Sequence, residues 1–248
     1  MAFSIGAPAA APQLDYEVIA AYPHDRAAFT QGLLLREGIL YESSGGYGRS
    51  SLSAKNWRSG STIKTRALPA DIFAEGLARV GSELFLLSWR ERRGFVFDPD
   101  LRLRREFHYT GEGWGLASDG THLWMSDGSA TLRELDSKSF RELKRVQVLD
   151  DNATVTKLNE LEFVHGLIYA NIWQDERVAV VEPASGAVRA WIDLSSLRLR
   201  FPRPPQWDPN DDVLNGIAWN PANGHFLVTG KHWPVLFELK IATVTAGK

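Results

Sequence analysis

The sequence contains no cysteine, which excludes disulfide bonds, thiolate nucleophiles and every metal site built on cysteine. It also has no apolar run of 18 or more residues, so a transmembrane helix is excluded. Neither sign of charge dominates, because 28 Lys and Arg stand against 30 Asp and Glu, and the net charge is −2. This balance gives no general reason to expect nucleic acid or an anionic membrane as the partner.

The remaining composition is that of an ordinary globular protein, since 44% of the 248 residues are hydrophobic and 23% are charged. This length allows one large domain or two small ones. The first thirteen residues, MAFSIGAPAAAPQ, are rich in Ala and Pro and show no periodicity. We interpret residues 1–13 as an expression remnant or the stub of a processed export signal, and we predict a single domain over residues 14–248.

A short motif recurs five times, in the form of a polar or aromatic residue followed by Gly or Glu and then by Leu or Ile. The copies begin at Gln31, Glu75, Trp114, Asn159 and Asn215, and their middle residues lie 44, 39, 45 and 56 positions apart. The first three intervals are close to the blade period of four-stranded propeller repeats, and the last contains an insertion. Strand-like segments follow each copy, such as ELFLLSW at 83–89 and LIYANIW at 167–173.

The fifth repeat ends after its third strand, near Ile241, and the segment YEVIAAY at 16–22 precedes the first motif without a partner there. Pairing these two ends would close a ring and leave no long unpaired edge. We therefore predict an all-β fold, a five-bladed β-propeller of four-stranded antiparallel blades closed by the N-terminal strand. A β-sandwich with coincidental Gly-Leu pairs is the alternative.

The segment 195–212 interrupts the last repeat interval and contains four Pro residues in eighteen. It begins with two Ser residues before a short apolar-periodic turn, which predicts a short helix followed by a Pro-constrained loop. Insertions of this kind lie at one face of a propeller, so we expect the loop to help wall a binding site.

Equivalent positions on the innermost strands of a propeller converge on its central axis. The first residues of the five motifs are therefore predicted to form a ring at one mouth of the channel, with Glu75 as its only carboxylate. The ends of the second strands add Trp89, Asp127, Trp173 and Lys231 on the same side. An apolar pocket with a few polar groups is the usual form of a small-ligand site.

The motifs of several common enzyme classes are missing. The six histidines show no HExxH pattern and no other close ligand pairing, so a catalytic zinc site is not indicated. No P-loop, dinucleotide-binding GxGxxG or GxSxG elbow is present either. We therefore expect no metal and no cofactor, and we interpret the SDG at 126–128 as a structural turn.

Nine segments form a combination that is far more specific than any one of them. They are FTQGL (29–33), YESSGGYGRSS (41–51), FAEGLA (73–78), GWGLASDG (113–120), LWMSDGS (123–129), LNELEF (158–163), NIW (171–173), DVLNGIAW (212–219) and TGKHWP (229–234). Together they resemble the plant and bacterial glutaminyl cyclases, the papaya-type glutaminyl-peptide cyclotransferases, over roughly residues 15–241. The resemblance implies a five-bladed propeller that converts N-terminal glutamine to pyroglutamate and releases ammonia, without a metal ion.

The resemblance also implies roles for individual residues. Glu75 matches the catalytic glutamate of the family. Lys231 matches the active-site lysine, which would stabilise an oxyanion or set the charge of Glu75. Asn159 matches the asparagine that would bind the substrate amide. Substrate-binding positions are implied at Phe29, Gln31, Trp89, Trp114 and Trp173. Trp233 and Asn215 are weaker candidates that can be purely structural. Ala74 departs from the larger residues that the resemblance implies at this position in some members, so the resemblance does not define that wall of the pocket.

The expected partners are peptides or proteins that begin with glutamine, with no role for nucleic acid or membrane. A monomer is expected, and the secretory habit of the family implies a periplasmic or secreted location. One alternative is a non-catalytic peptide- or sugar-binding propeller, in which replacing Glu75 by Gln would change little. A propeller hydrolase or lactonase is a second alternative. Such enzymes hold a metal among several carboxylates, whereas the predicted ring contains a single carboxylate.

Overall fold

The computed structural model describes residues 10–242 and 244, and its main feature is a ring of four-stranded antiparallel sheets. Strand β1 spans Tyr16–Pro23. Blade 1 contains β2 (Thr30–Arg36), β3 (Ile39–Ser44), β4 (Ser51–Asn56) and β5 (Thr62–Ala67). Blade 2 contains β6 (Ala74–Val80), β7 (Glu83–Ser88), β8 (Arg93–Phe97) and β9 (Leu103–His108). Blade 3 contains β10 (Leu116–Ser118), β11 (His122–Met125), β12 (Thr131–Asp136) and β13 (Glu142–Gln147).

The second half of the chain repeats this arrangement with one addition between blades 3 and 4. A small hairpin of β14 (Leu149–Asp150) and β15 (Ala153–Thr154) leads into blade 4. Blade 4 contains β16 (Leu158–Val164), β17 (Leu167–Ile172), β18 (Arg177–Val181) and β19 (Val188–Asp193). A 3-10 helix (Ser195–Arg200) and a loop precede β20 (Leu214–Asn220), β21 (His225–Gly230) and β22 (Val235–Ile241), which form blade 5 with β1.

The ring is closed by the two ends of the described chain. Strand β1 pairs antiparallel with β22, with Tyr16 opposite Ile241 and Pro23 opposite Val235. The fifth blade thus contains four strands, and the edge of β22 is paired as ring closure requires. The predicted five-bladed propeller closed by the N-terminal strand is confirmed, and the sandwich alternative is rejected.

Burial falls from the centre of the ring to its outside, as expected for radially arranged sheets. The innermost strands, such as β2, are buried along nearly their whole length, whereas all six residues of β5 are exposed. The hydrophobic core lies between neighbouring blades; for example, Tyr41 and Leu52 of blade 1 pack in one cluster with Leu77 and Leu86 of blade 2. This apolar packing makes the inner strands a firm frame for side chains at their ends.

The glycine of the repeated motif is required because the inner strands approach each other closely. A Cβ atom on Gly76 would overlap the backbone nitrogen of Leu116, and one on Gly115 would overlap the carbonyl oxygen of Asn159. The fourth motif has Glu160 instead, whose carboxylate accepts hydrogen bonds from the backbone N–H of Leu33 (3.2 Å) and of Ile217 (2.9 Å). Glu160 therefore connects blade 4 to blades 1 and 5 at the centre of the ring.

The insertion is a 3-10 helix of six residues, Ser195–Arg200, followed by an extended loop that returns to blade 5. Trp233, fully buried, anchors this loop, because its indole N–H donates to the carbonyl of Asp212 at 3.0 Å. Within the described residues, no helix has the length and apolar character needed to span a bilayer.

Candidate active site

One pocket of about 270 Å³ opens at the end of the channel where the inner strands begin. Its lining residues are Phe29, Gln31, Phe73, Glu75, Trp89, Trp114, Asn159, Trp173, Asp211 and Lys231. All eight site residues predicted from the sequence are among these ten. They come from all five blades, because each blade presents the start of its first strand or the end of its second strand to this mouth.

Glu75 lies near the beginning of β6 and is 4% exposed. Its carboxylate accepts a hydrogen bond from the Gln31 side-chain amide at 3.1 Å, and its backbone carbonyl accepts one from the Ser43 hydroxyl at 2.6 Å. Burial raises the pKa of Glu75 well above its ordinary value; the charge of Lys231 opposes this rise, and nearby carboxylates support it. A carboxyl group whose pKa is raised in this way keeps its proton to a higher pH than an exposed glutamate and can exchange it with a ligand.

The orientation of Gln31 is set by blade 5. The side-chain amide of Asn215 donates to the backbone carbonyl of Thr30 (2.8 Å) and to Oε1 of Gln31 (3.3 Å). The Gln31 oxygen is thereby engaged as an acceptor, and its Nε2 group points to Glu75. Asn215 itself does not line the pocket, so it acts beneath the ring predicted from the motifs and not as part of it.

Lys231 follows β21 and is 5% exposed. Its backbone N–H donates to the carbonyl of Val213, and its ammonium group lies 4.6 Å from the centre of the Phe29 ring. Burial lowers the pKa of Lys231, and the charges of Glu75 and Asp211 oppose this change. Lys231 is thus a buried cation held over an aromatic face and directed to the same cavity as Glu75.

Asn159 is held from blade 3. The buried Ser126 hydroxyl donates to the backbone carbonyl of Asn159 at 2.7 Å and accepts from the backbone N–H of Gly115 at 2.7 Å. Among the described residues, no hydrogen bond engages the Asn159 side-chain amide, although the residue is 2% exposed. A preorganised amide that lines a cavity and has no protein partner is available to a ligand.

The wall of the pocket is a series of aromatic rings in edge contact. Phe29 packs against Phe73 with ring centres 6.1 Å apart, and Phe73 packs against Trp89 at 5.6 Å. On the other side, Trp114 and Trp173 meet edge to face, with ring centres 5.6 Å apart. These apolar faces exclude water from a ligand and strengthen the electrostatic effect of Glu75 and Lys231.

Two lining residues, Phe73 and Asp211, were not predicted. Phe73 belongs to the quoted FAEGLA segment, and its place two residues before Glu75 put it on the same face. Asp211 comes from the insertion, whose general position was predicted although no residue was singled out. Ala74 packs in the core between blades 1 and 2 and does not line the pocket, so this departure from the resembled family does not change the pocket wall. Asp127 does not line the pocket; its carboxylate accepts from the backbone N–H of Ser129 in a turn.

The pocket lining offers Glu75 and Asp211 as carboxylates and no histidine. In the described part of the chain, one group of histidine and acidic side chains lies close enough to share an ion: Asp119, His122 and Glu134. This group lies on the hairpin of blade 3, and none of its members lines the pocket.

The fold and the pocket define a five-bladed propeller whose aromatic cavity holds a buried carboxyl group, a buried lysine and the Asn159 amide, which has no partner among the described residues. The model of the glutamine cyclotransferase family matches residues 2–241, and the chain belongs to this family. It is 37% identical over 235 residues to the glutaminyl-peptide cyclotransferase of Arabidopsis thaliana, a match that covers 94% of this chain and 73% of the plant protein. It also resembles the crystal structure of Myxococcus xanthus glutaminyl cyclase, with a TM-score of 0.86, 36% identity and coverage of 94% and 99% of the two chains.

Proposed function

We propose that this protein is a glutaminyl cyclase, which converts the N-terminal glutamine of peptides or proteins to pyroglutamate and releases ammonia. The observation that carries this proposal is the buried Glu75 carboxyl group in a cavity that also holds Lys231 and the free Asn159 amide. Membership in the glutamine cyclotransferase family supports the same activity. The cavity, about 270 Å³, is close to the lower end of the range of about 300–1,000 Å³ typical of small-ligand pockets, so it suits a single residue at a chain end.

The reaction forms one bond and breaks one bond. The neutral α-amine attacks the side-chain amide carbon, a five-membered ring closes, and the bond from that carbon to the amide nitrogen breaks. The amine loses one proton and the departing nitrogen gains one, so the products are pyroglutamate and ammonia. A single group that accepts the first proton and donates the second is sufficient, and no covalent enzyme intermediate is needed.

Glu75 is the group that we assign to this proton transfer. Because burial raises its pKa, the carboxylate is a stronger base than an exposed glutamate; it can take the proton from the attacking amine and then return it to the leaving nitrogen. Gln31, which already donates to Glu75, orients the carboxyl group on one side of the cavity.

Lys231 and Asn159 are assigned to the oxygen of the amide, on which negative charge develops when the amine attacks. Both are nearly fully buried, so their interaction with that charge is not screened by water. The aromatic residues Phe29, Trp89, Trp114 and Trp173 are assigned to hold the glutamine side chain folded toward its own amine.

The test is ammonia release from a short peptide that begins with glutamine, measured in EDTA with the parent protein and with Glu75→Gln. We expect release by the parent and a loss of at least about a hundredfold in Glu75→Gln, the scale of a lost general acid/base. Glu83→Gln is the matched control, because Glu83 begins β7 at the end away from the pocket and forms a partly exposed ion pair with Arg105. The same peptide with an acetylated N-terminus has no free amine and should release no ammonia.

The absence of ammonia release by the parent would contradict the proposal and favour a non-catalytic binding propeller. Complete loss of activity in EDTA, restored by a metal ion, would contradict its metal-independent mechanism. A monomeric state and a periplasmic or secreted location are further parts of the proposal, and they rest on the family resemblance. Light scattering and fractionation of the native cells test them.

A further inference from the structure

The aromatic rings around the pocket form two series, and one gap between them lies where blade 2 meets blade 3. Trp89 follows β7 in blade 2, and Trp114 precedes β10 in blade 3. The carboxylate of Glu112 fills this gap. Its Oε2 atom accepts a hydrogen bond from the Trp89 indole N–H at 2.7 Å and from the Trp114 indole N–H at 3.0 Å.

The second oxygen of Glu112 is also engaged. Oε1 accepts from Nε of Arg90 at 3.1 Å, and the Arg90 guanidinium group stacks over the Trp89 ring, 3.7 Å from its centre. Burial works to raise the pKa of Glu112, but the hydrogen bonds from Trp114, Trp89 and Arg90 outweigh it and lower the pKa. Glu112 is therefore an ionised group that only accepts hydrogen bonds, and it receives three.

An indole has one polar hydrogen, and its direction determines how the ring is turned. Because Glu112 accepts both indole hydrogens at one atom, the ring planes of Trp89 and Trp114 are set relative to each other across the two blades. Their edge contacts transmit this arrangement to Phe73 and Trp173. The same bonds keep both indole donors occupied, so the cavity presents apolar ring faces and leaves polar contacts to other groups.

We propose that Glu112 is a positioning residue of the cyclase reaction, a role that rests on the function proposed above. Its carboxylate locks the indoles of Trp89 and Trp114 and thereby completes the aromatic wall that folds the substrate glutamine. Glu112 does not line the cavity itself, so it acts through these two rings.

The test compares Glu112→Ala with Glu112→Gln. The alanine variant removes the acceptor, whereas the glutamine variant retains one oxygen that can accept both indole hydrogens. We expect Glu112→Ala to lower kcat/KM at least about tenfold, mainly through a higher KM, and to weaken the near-ultraviolet circular dichroism of the indoles. Glu112→Gln should recover kcat/KM to within about threefold of the parent and restore the dichroism. Glu83→Gln, at the end of β7 away from the pocket, should change neither quantity.

A role limited to stability would give a different result. Partial unfolding of Glu112→Ala would reduce the active fraction and hence kcat at unchanged KM, and Glu112→Gln would not restore the dichroism; either result would overturn the proposal. So would a kcat/KM of Glu112→Ala within about twofold of the parent with unaltered dichroism. If the parent releases no ammonia, the cyclase function fails, and the dichroism of the two variants still decides whether Glu112 orders the indoles.

Discussion

Ser126 connects the backbone segments that carry two site residues, and its replacement by alanine is expected to weaken both the fold and the site. The side chain is fully buried. Its hydroxyl donates to the carbonyl of Asn159 and accepts from the N–H of Gly115, which follows Trp114, and both distances are 2.7 Å. Ser126→Ala removes this single atom and adds none.

The expected cost follows from the two backbone groups that lose their partner. A buried polar group left without a hydrogen bond costs about 1–3 kcal/mol, so the loss of two partners should lower the free energy of unfolding by about 2–6 kcal/mol. For a protein of this size, about 1 kcal/mol corresponds to about 2–4 °C, and the melting temperature should fall by about 4–24 °C. The Asn159 carbonyl is no longer held, so we also expect kcat to fall at least about tenfold.

Urea unfolding and ammonia release measure these two effects in the same preparation. Ser82→Ala is the matched control, because Ser82 is exposed in the turn between β6 and β7 and should change stability by less than about 0.5 kcal/mol. An unfolding free energy for Ser126→Ala within about 0.5 kcal/mol of the parent would refute this account, since no strong contact would then be lost.

Three further changes have expected results. Lys231→Met removes the positive charge that opposes the rise in the pKa of Glu75, so the limb of the pH profile of kcat/KM that reports Glu75 should move to higher pH. Gly115→Ala places a Cβ atom on the carbonyl oxygen of Asn159 in the backbone of the next blade, and it should lower the free energy of unfolding by more than about 3 kcal/mol in urea titrations. Burial, followed by the charge of Glu162, raises the pKa of Glu160 in the folded state, so the folded protein binds more protons than the unfolded chain. The stability that this group contributes is therefore complete below pH 4.5 and is lost as the pH rises through the folded pKa. Glu160→Gln removes the titrating group, so the free energy of unfolding should fall less steeply with rising pH.

Each of these results can fail in a specific way. A pH profile of Lys231→Met that coincides with that of the parent, or shifts to lower pH, would show that Lys231 does not act on Glu75. Wild-type stability of Gly115→Ala would mean that the blades separate more easily than the contact with Asn159 indicates. If the free energy of unfolding of Glu160→Gln changes with pH as in the parent, other buried acids cause this pH dependence.

Most site residues found from the sequence have a position in the repeat that can be counted, whereas Phe29 followed from the family resemblance. Glu75 and Asn159 begin motif copies, and Trp89, Trp173 and Lys231 end second strands, so repeat position alone brought them to one mouth of the channel. The same counting placed Asp127 there, but the side chain turns to the backbone of Ser129. Repeat position identifies a place in the fold, and the local turn decides where the side chain points.

Residues that act across blades could not be found in this way. Asn215 shares a motif position with Glu75, yet its amide lies beneath the ring and orients Gln31, which is 184 positions away in sequence. Glu112 belongs to no motif position, and its partners become neighbours only when blades 2 and 3 pack together. Asp211 reaches the pocket from a loop with no regular pattern.

The sequence by itself determined the number of blades, the strand that closes the ring and the residues at equivalent ends of the inner strands. These features depend on periodicity and on the need to pair every edge, and both can be read from the order of segments along the chain. Only the tertiary structure decided the raised pKa of Glu75, the lowered pKa of Lys231 and the hydrogen bonds that hold the pocket tryptophans. These depend on burial and on distances between side chains from different blades, and the order of residues along the chain does not encode them directly.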